Sequence, residues 1–372
     1  MKLFNLYKIQ KATTTSREFF INDDGIKCVH YGDIYKNYSF RFIKSSKIIN
    51  TFSKEVKNSM ILKEDSIIIP DVTETVSDYG HPTYIKYDGV PYINGTHALA
   101  ITSAGGNLKY LFYYLQNPSN IKRLQSLLLG STVFGISIKD FENFELINYK
   151  EADACQQHIV DIIGSIDDKI ENNNKIFRML DKQLELLFCK ISVIDSNLKF
   201  RDVFKTYNGY AFKSSNYNDL GKYKIITIKN IKANGFNTDS TDKVDYKKEY
   251  DNCILSIGDI LLTMTGDVGR VGIVTENNCL LNQRVLKVES VSQAYTYAFL
   301  KHNYKQINLI AKGSVQLNLG LSDLNNLKIN NSLDDINKFK KYDTIIEYMI
   351  NLKKENTKLN KLKQNYLLKF FQ

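Results

Sequence analysis

The sequence predicts an α+β protein built twice over: two mixed α/β globules, each followed by a long helix. The two helices pair as an antiparallel coiled coil and a pseudo-twofold axis relates the halves. Two apolar stripes and one repeated segment carry this reading. In residues 151–190 apolar side chains recur at Ile163, Ile166, Ile170, Phe177, Leu180, Leu184 and Leu187. Steps of three and four make that a heptad seam, which needs a partner helix. Residues 333–371 carry the same spacing at Ile345, Tyr348, Leu352, Leu359, Leu362 and Tyr366, 182 positions after the first six. The polar break falls at corresponding places, Asn173 and Glu355. Finally, Gly130 to Phe144 aligns without a gap to Gly313 to Leu327 at an offset of 183, with Gly130/Gly313, Ser131/Ser314, Asp140/Asp323 and Asn143/Asn326 identical.

In chain order, residues 1–149 form the first globule, 150–192 the first helix, 193–332 the second globule and 333–372 the second helix. No Gly or Pro interrupts residues 165–190, and a helix spanning 151–190 would be about 60 Å long. Within the globules Leu62–Ile69 parallels Leu255–Leu262, each a polar turn opening into an apolar strand. Ile26–Ile34 parallels Tyr223–Ile231 in the same way. Asp88-Gly89, between Tyr84–Tyr87 and Val90–Ile93, is a hairpin signal, and Asn277-Asn278 between Val271–Thr275 and Leu280–Val288 is a looser one. Helical patterns at Leu108–Leu129 and Ala294–Ile310 precede the repeated glycine segment. Two helices of equal length, each leaving a globule, would act as a spacer between the globules.

Composition narrows the chemistry. With 372 residues and 43% hydrophobic content, two cores can be built. Five cysteines form no CxxC pair and five histidines are scattered, so no metal site is expected. The opening MKLFNLYKIQ is not a signal peptide and no apolar run reaches membrane-spanning length, which points to a cytoplasmic protein with reduced thiols. The net charge of +10 is uneven: 17 basic against 14 acidic residues in 1–149, 6 against 8 in 150–190, 18 against 13 in 191–332, and 9 against 5 in 333–372. Basic globules are compatible with a polyanion partner. Catalytic signatures are missing. No Asn-Pro-Pro-Tyr or Asp-Pro-Pro-Tyr segment exists to hold a flipped adenine, and no Phe-x-Gly-x-Gly loop to hold a methyl donor. Gly266, Gly269 and Gly272 lack the Gly-Lys-Ser/Thr of a phosphate-binding loop and suit a tight turn between strands.

Several segments resemble the specificity subunit of Type I restriction–modification systems. Tyr207–Ser214 with Lys224–Ile231 resembles the opening of that family's target recognition domain, and Gly258–Val274 its central strand-and-turn motif. Asn282-Gln-Arg284 and Gly313–Leu327 are similar to the segments that follow. In the first half Gly25–Ile34 and Gly130–Phe144 match the same places, and 151–190 and 333–371 resemble the two spacer regions. Asp71–Tyr79 departs from the Gly-Asp-Val-Gly-Arg pattern, Asn94-Gly-Thr96 stands where Asn-Gln-Arg is expected, and no proline-rich step precedes the first spacer. The resemblance implies two target recognition domains that read one bipartite site in double-stranded DNA, one half each. It also implies that the subunit is non-catalytic and that its spacers dock two methyltransferase subunits. These would bring S-adenosylmethionine, so no cofactor is expected on this chain, and restriction subunits would join through them.

DNA contacts should be Lys and Arg for phosphates, and Arg, Asn, Gln, Ser or Thr for base edges. In the first globule the candidates are Thr14, Thr15, Ser16, Arg17, Lys27, Tyr31, Lys36 and Arg41; Tyr35 and Tyr38 interleave with the last two. In the second they are Lys213, Ser214, Lys229, Asn230, Lys232, Thr265, Arg270 and Arg284. Two other readings remain open on the residues alone: an adaptor whose globules bind proteins, and a fused DNA methyltransferase or nuclease.

Overall fold

The structure, a computed structural model, describes residues 1–21, 25–150, 152–191, 193–194, 196–232, 235–239, 241–313 and 316–372. Ser314 of the repeated segment lies outside them. The chain divides into two compact units: Met1–Asp168 with Leu359–Gln372, and Lys169–Lys358.

Unit 1 holds a five-stranded sheet in the order Tyr7–Gln10, Ala98–Ser103, Ser66–Pro70, Thr83–Lys86, Phe42–Lys44. A second sheet runs Phe20–Ile21, Asn50–Phe52, Ile26–Val29, Tyr92–Asn94. Ser66–Pro70 is buried along its whole length, as its continuous Ile67-Ile68-Ile69 run requires of a strand covered on both faces. One face is covered by helices α1 (Leu108–Gln116) and α2 (Pro118–Gln125). Asn117 separates them: its side chain accepts from the Ser119 and Asn120 amides and caps α2, with Pro118 at the first helical position.

Unit 2 repeats the plan. Its first sheet runs Lys205–Asn208, Val285–Glu289, Ile260–Thr263, Val271–Ile273, and its second Lys243–Val244, Tyr223–Ile226, Cys279–Leu281, Ile254–Leu255. Helices α4 (Gln293–His302) and a shorter one at Tyr304–Ile310 stand in for α1 and α2. Ser292 caps α4 by accepting from the Tyr295 amide. The sheet edges differ among the described residues: unit 1 adds Phe42–Lys44 to its first sheet and Phe20–Ile21 to its second, whereas unit 2 adds Ile254–Leu255 to its second.

Neither expected hairpin forms. Thr83–Lys86 pairs with Ser66–Pro70 in one sheet, whereas Tyr92–Asn94 pairs in parallel with Ile26–Val29 in the other. Val271–Ile273 and Cys279–Leu281 split between sheets in the same way. The reason is visible at Asp88. Its carboxylate accepts from Ser45 Oγ (2.8 Å), the Ser46 amide (2.9 Å) and Ser46 Oγ (2.6 Å). The turn is thus tied sideways to a neighbouring loop, and those bonds pull the Asp88 carboxyl down to about 2. Asp-Gly here makes a crossover between sheets.

The repeated glycines occupy one turn in both units. Gly130 and Gly313 have φ of 142° and 139°, and a Cβ on either would lie 2.1 Å from the carbonyl oxygen of Val133 or Gln316. Only glycine fits. The turns close on bridges Leu129–Gly135 and Lys312–Asn318, again 183 positions apart.

Helix α3 (Asp153–Cys189) lends its first turns to unit 1 and its remainder to unit 2, and α5 (Asp343–Phe370) does the reverse. In unit 2, Asn173 bonds Glu355 Oε2 (2.7 Å) and Asn356 Oδ1 (2.9 Å), and Leu184 packs in one core with Ile346, Met349 and Ile350. In unit 1, Asp167 pairs with Lys363 (2.8 Å), and Ile159, Val160 and Ile163 share a core with Leu367 and Phe371. Within each unit the segments therefore run antiparallel.

The α3 seam is as expected. Ile163, Ile166 and Leu184 are buried, and Ile170, Phe177 and Leu180 half-buried. The α5 seam is not. Tyr348 is 50% and Leu362 43% exposed, Ile345, Leu359 and Tyr366 are half-buried, and of the expected set only Leu352 is buried. Besides Leu352 the buried positions of α5 are Ile346, Met349, Ile350, Asn356, Lys363 and Leu367, and all of these but Ile350 lie one residue on from the expected stripe. The offset between helices is then 183, equal to that of the glycine turns. Two of the α5 seam positions are Asn356 and Lys363, whose polarity hid them, while the exposed Leu362 and Tyr348 drew the stripe to the wrong face.

Candidate nucleic-acid interface

In unit 2 five loops meet at one end of the sheets. Gln283 N–H donates to Tyr210 O (3.1 Å), Met264 N–H to Arg284 O (3.0 Å), Asn282 N–H to Ile226 O (3.1 Å) and Gly266 N–H to Leu317 O (3.0 Å). Around Gly266, Gln316 Nε2 and Ile228 Cδ1 each come within 3.5 Å of where a Cβ would be. The rim so built carries the exposed side chains of Lys229, Gln283 and Arg284. Asn282 Oδ1 accepts from the Arg284 amide (3.1 Å), which shapes the turn that presents Arg284.

Unit 1 has the same meeting of loops. Thr13 N–H donates to Asn94 O (2.8 Å), Asp71 N–H to His97 O (3.2 Å) and Ile136 N–H to Asp71 O (2.9 Å). Asn94, fully buried, ties the crossing by donating to Lys11 O (2.9 Å) and Ala98 O (2.7 Å). Its rim is made of Arg17, Tyr31 and His97. Tyr31 packs edge-on to His97 with ring centroids 5.7 Å apart and tilted on His30 at 4.6 Å. The His30 ring accepts from the Gly32 amide (3.2 Å). Burial lowers its pKa, with Arg17 and His97 pushing the same way against Asp33.

The expected contact residues separate into three groups. Thr14, Ser16, Arg17, Lys36, Arg41, Lys213, Ser214, Lys229, Lys232 and Arg284 are exposed. Of these, Arg17, Lys229 and Arg284 lie on the two rims. Lys27, Tyr31 and Arg270 are half-buried. Lys27 donates to Thr51 Oγ1 (3.3 Å), and Arg270 is ion-paired with Asp267. Thr15, Asn230 and Thr265 are buried, 7%, 4% and 8% exposed, which corrects the expectation that they face DNA. Thr15 is knotted to Thr96, receiving from the Thr96 amide (3.1 Å) and accepting at its carbonyl from Thr96 Oγ1 (2.9 Å). Asn230 donates to Asn237 O (3.0 Å) and Thr241 Oγ1 (2.9 Å) and accepts from the Thr227 amide (2.8 Å). Such side chains close loops, because a buried amide or hydroxyl must be hydrogen-bonded somewhere. Sequence reasoning passed over His97, Asp71 and Gln283. Gln283 sits inside a motif already singled out. His97 is hidden by one extra residue in the Asn94–His97 loop.

Two copies of one α/β domain, each ending in a rim of loops, define a duplicated protein built to present two equivalent surfaces. Residues 7–180 and 196–367 each match the family described as Type I restriction modification DNA specificity domain (Methylase_S), and the chain belongs to that family. The crystal structure of a Type-I restriction-modification system S subunit from M. genitalium aligns over 100% of this chain and 95% of its own, at 16% identity and a TM-score of 0.58, and shares the fold. An HsdS subunit from Thermoanaerobacter tengcongensis aligns over 91% of this chain and 92% of its own at 15% identity, with a TM-score of 0.32. A structure titled for complex assembly and conformational transition of the type I R-M system covers 100% and 99% at 13% identity, with a TM-score of 0.36. No curated protein sequence matches the chain. Among the described residues no helix is long and apolar enough to cross a membrane.

Proposed function

We propose that the chain is the non-catalytic specificity subunit of a Type I restriction–modification complex, in which each specificity domain reads one half of a bipartite, asymmetric site in duplex DNA. The observation that carries this is the pair of loop-built rims, one per domain, on a chain belonging to the DNA specificity family. Their side chains differ, so the two half-sites differ. The paired helices would set the gap between half-sites and dock two methyltransferase subunits, which supply S-adenosylmethionine; restriction subunits would join through them.

Sequencing methylated DNA from cells carrying the intact system tests the spacing. Removing one heptad from each helix, residues 170–176 and 353–359, is expected to shorten the gap and leave both half-site sequences intact. An unchanged gap would refute the role of the helices. Sharp loss of duplex binding with added salt is expected from phosphate contacts, whereas salt-insensitive binding to another protein would favour an adaptor.

A further inference from the structure

We infer that His97 is a base-reading residue of unit 1, the counterpart of Arg284 in unit 2, and that Asp71 positions its ring. This deepens the function proposed above and rests on it.

The equivalence comes from strand register. In unit 1, Ala98 pairs with Pro70, and the next residue outward, Asp71, gives its amide to His97 O (3.2 Å). In unit 2, Val285 pairs with Thr263, and the next residue outward, Met264, gives its amide to Arg284 O (3.0 Å). His97 and Arg284 therefore hold one position in the two domains, the last residue before the same strand. Aligning Asn94-Gly-Thr96 on Asn282-Gln-Arg284 instead places Thr96 there. That threonine is taken up by Thr15.

Three features set His97 apart from a solvated surface histidine. Its backbone is left-handed, φ 59°, a conformation uncommon outside glycine and one that histidine adopts more readily than most side chains. Its Nδ1 is fixed on Asp71 Oδ1 at 3.1 Å, and Asp71 is held in turn by its own amide on the His97 carbonyl. Its ring stands edge-on to Tyr31 and its side chain is 48% exposed. Nδ1 is thereby spent inside the protein, and Nε2 is the atom left for a base edge. Orienting a ring through the nitrogen it does not use is a common way to aim histidine. A guanidinium offers two parallel donors and suits guanine, whereas an imidazole with one nitrogen engaged offers a single point. Unit 1 should accordingly discriminate less sharply at this position than unit 2.

Selection from a randomised duplex library with the full-length chain, read by sequencing, tests this. His97→Gly keeps the left-handed backbone and is expected to relax base preference at one position of one half-site, on the order of fivefold, with the other half intact. Arg284→Ala should relax one position of the opposite half, by more, on the order of tenfold or above. Asp71→Asn should weaken the His97-dependent preference, and should have no effect on selection in a His97→Gly background, which separates positioning from a structural role. A wild-type chain that selects a bipartite motif which His97→Gly leaves unchanged, or His97→Gly and Arg284→Ala acting on the same half, would overturn the inference. A wild-type chain that selects no motif would overturn the proposed function itself.

Discussion

The two units share the central strands of both sheets, the sheet crossover, the helix pair and the glycine turn, yet close their helix seams with different chemistry. Unit 1 uses an ion pair, Asp167–Lys363, with the two side chains 19% and 8% exposed and the lysine lying over the Tyr113 ring. At the corresponding places, 183 positions away, unit 2 is apolar with Ile350 and Leu180, and its polar layer lies elsewhere, where Asn173 bonds Asn356 and the Glu355 carboxylate. Both break an apolar stripe, which lowers stability but restricts the helices to one register, since any slip would strand a buried polar group. The lesson is that duplication has preserved geometry where the backbone demands it and left side chains free wherever a second solution satisfies the same constraint.

Breaking one partner in each seam sharpens that contrast. Lys363→Ala leaves the Asp167 carboxylate without a counter-charge, held by the Tyr113 hydroxyl (3.1 Å), and is expected to destabilise unit 1 by about 3 kcal/mol, the low end for a broken buried pair. Asn173→Ala should destabilise unit 2 by only about 2 kcal/mol, since Asn356 loses a neutral bond and the half-exposed Glu355 keeps Lys169. Hydrogen exchange followed unit by unit on the full chain would measure both, and equal losses would deny the difference in chemistry. The shared glycines should behave alike. Gly130→Ala and Gly313→Ala each force a Cβ against a carbonyl in a left-handed turn, for about 3 kcal/mol apiece. A tolerated alanine at either site would mean that the turns are not equivalent.

Smaller effects separate loop-closing residues from contacts. Asn230→Ala is expected to cost about 1.5 kcal/mol in unit 2 stability through lost loop bonds, with half-site preference unchanged. A changed preference at normal stability would return Asn230 to the interface. The smallest effect is pH dependence confined to unit 1. Burial lowers the pKa of both His30 and His81. The unfolded chain, with histidine near 6.5, therefore binds protons more readily than the folded one. Stability from these groups is full above about pH 6.5 and is lost as pH falls below it. Between pH 7.5 and 5.5 protection against exchange, taken relative to the intrinsic amide rate at each pH, should fall more in unit 1 than in unit 2, and His81→Gln should reduce the difference.

The sequence exposed those features that leave a residue with no alternative. Gly130 and Gly313 were readable because no other side chain fits their turn, and the α3 stripe because each of its apolar positions is at least half-buried. The α5 register was misread because Asn356 and Lys363 fill core positions that only a partner across the seam can justify. The Asp88-Gly89 crossover was equally hidden, since Ser45 and Ser46, which hold the aspartate, lie more than forty residues earlier. Among site residues, Arg284 could be found from its motif. Thr15 and Asn230 looked like contacts because composition alone does not distinguish a hydroxyl or amide facing DNA from one closing a loop.

Exchanging residues 195–330 for the corresponding domain of another specificity subunit, followed by sequencing of methylated DNA, bears most directly on the claim that each unit reads on its own. One half-site should change to that of the donor, with the other half and the gap between them retained. Alteration of both halves would mean that the two domains read DNA jointly, and the account would fail.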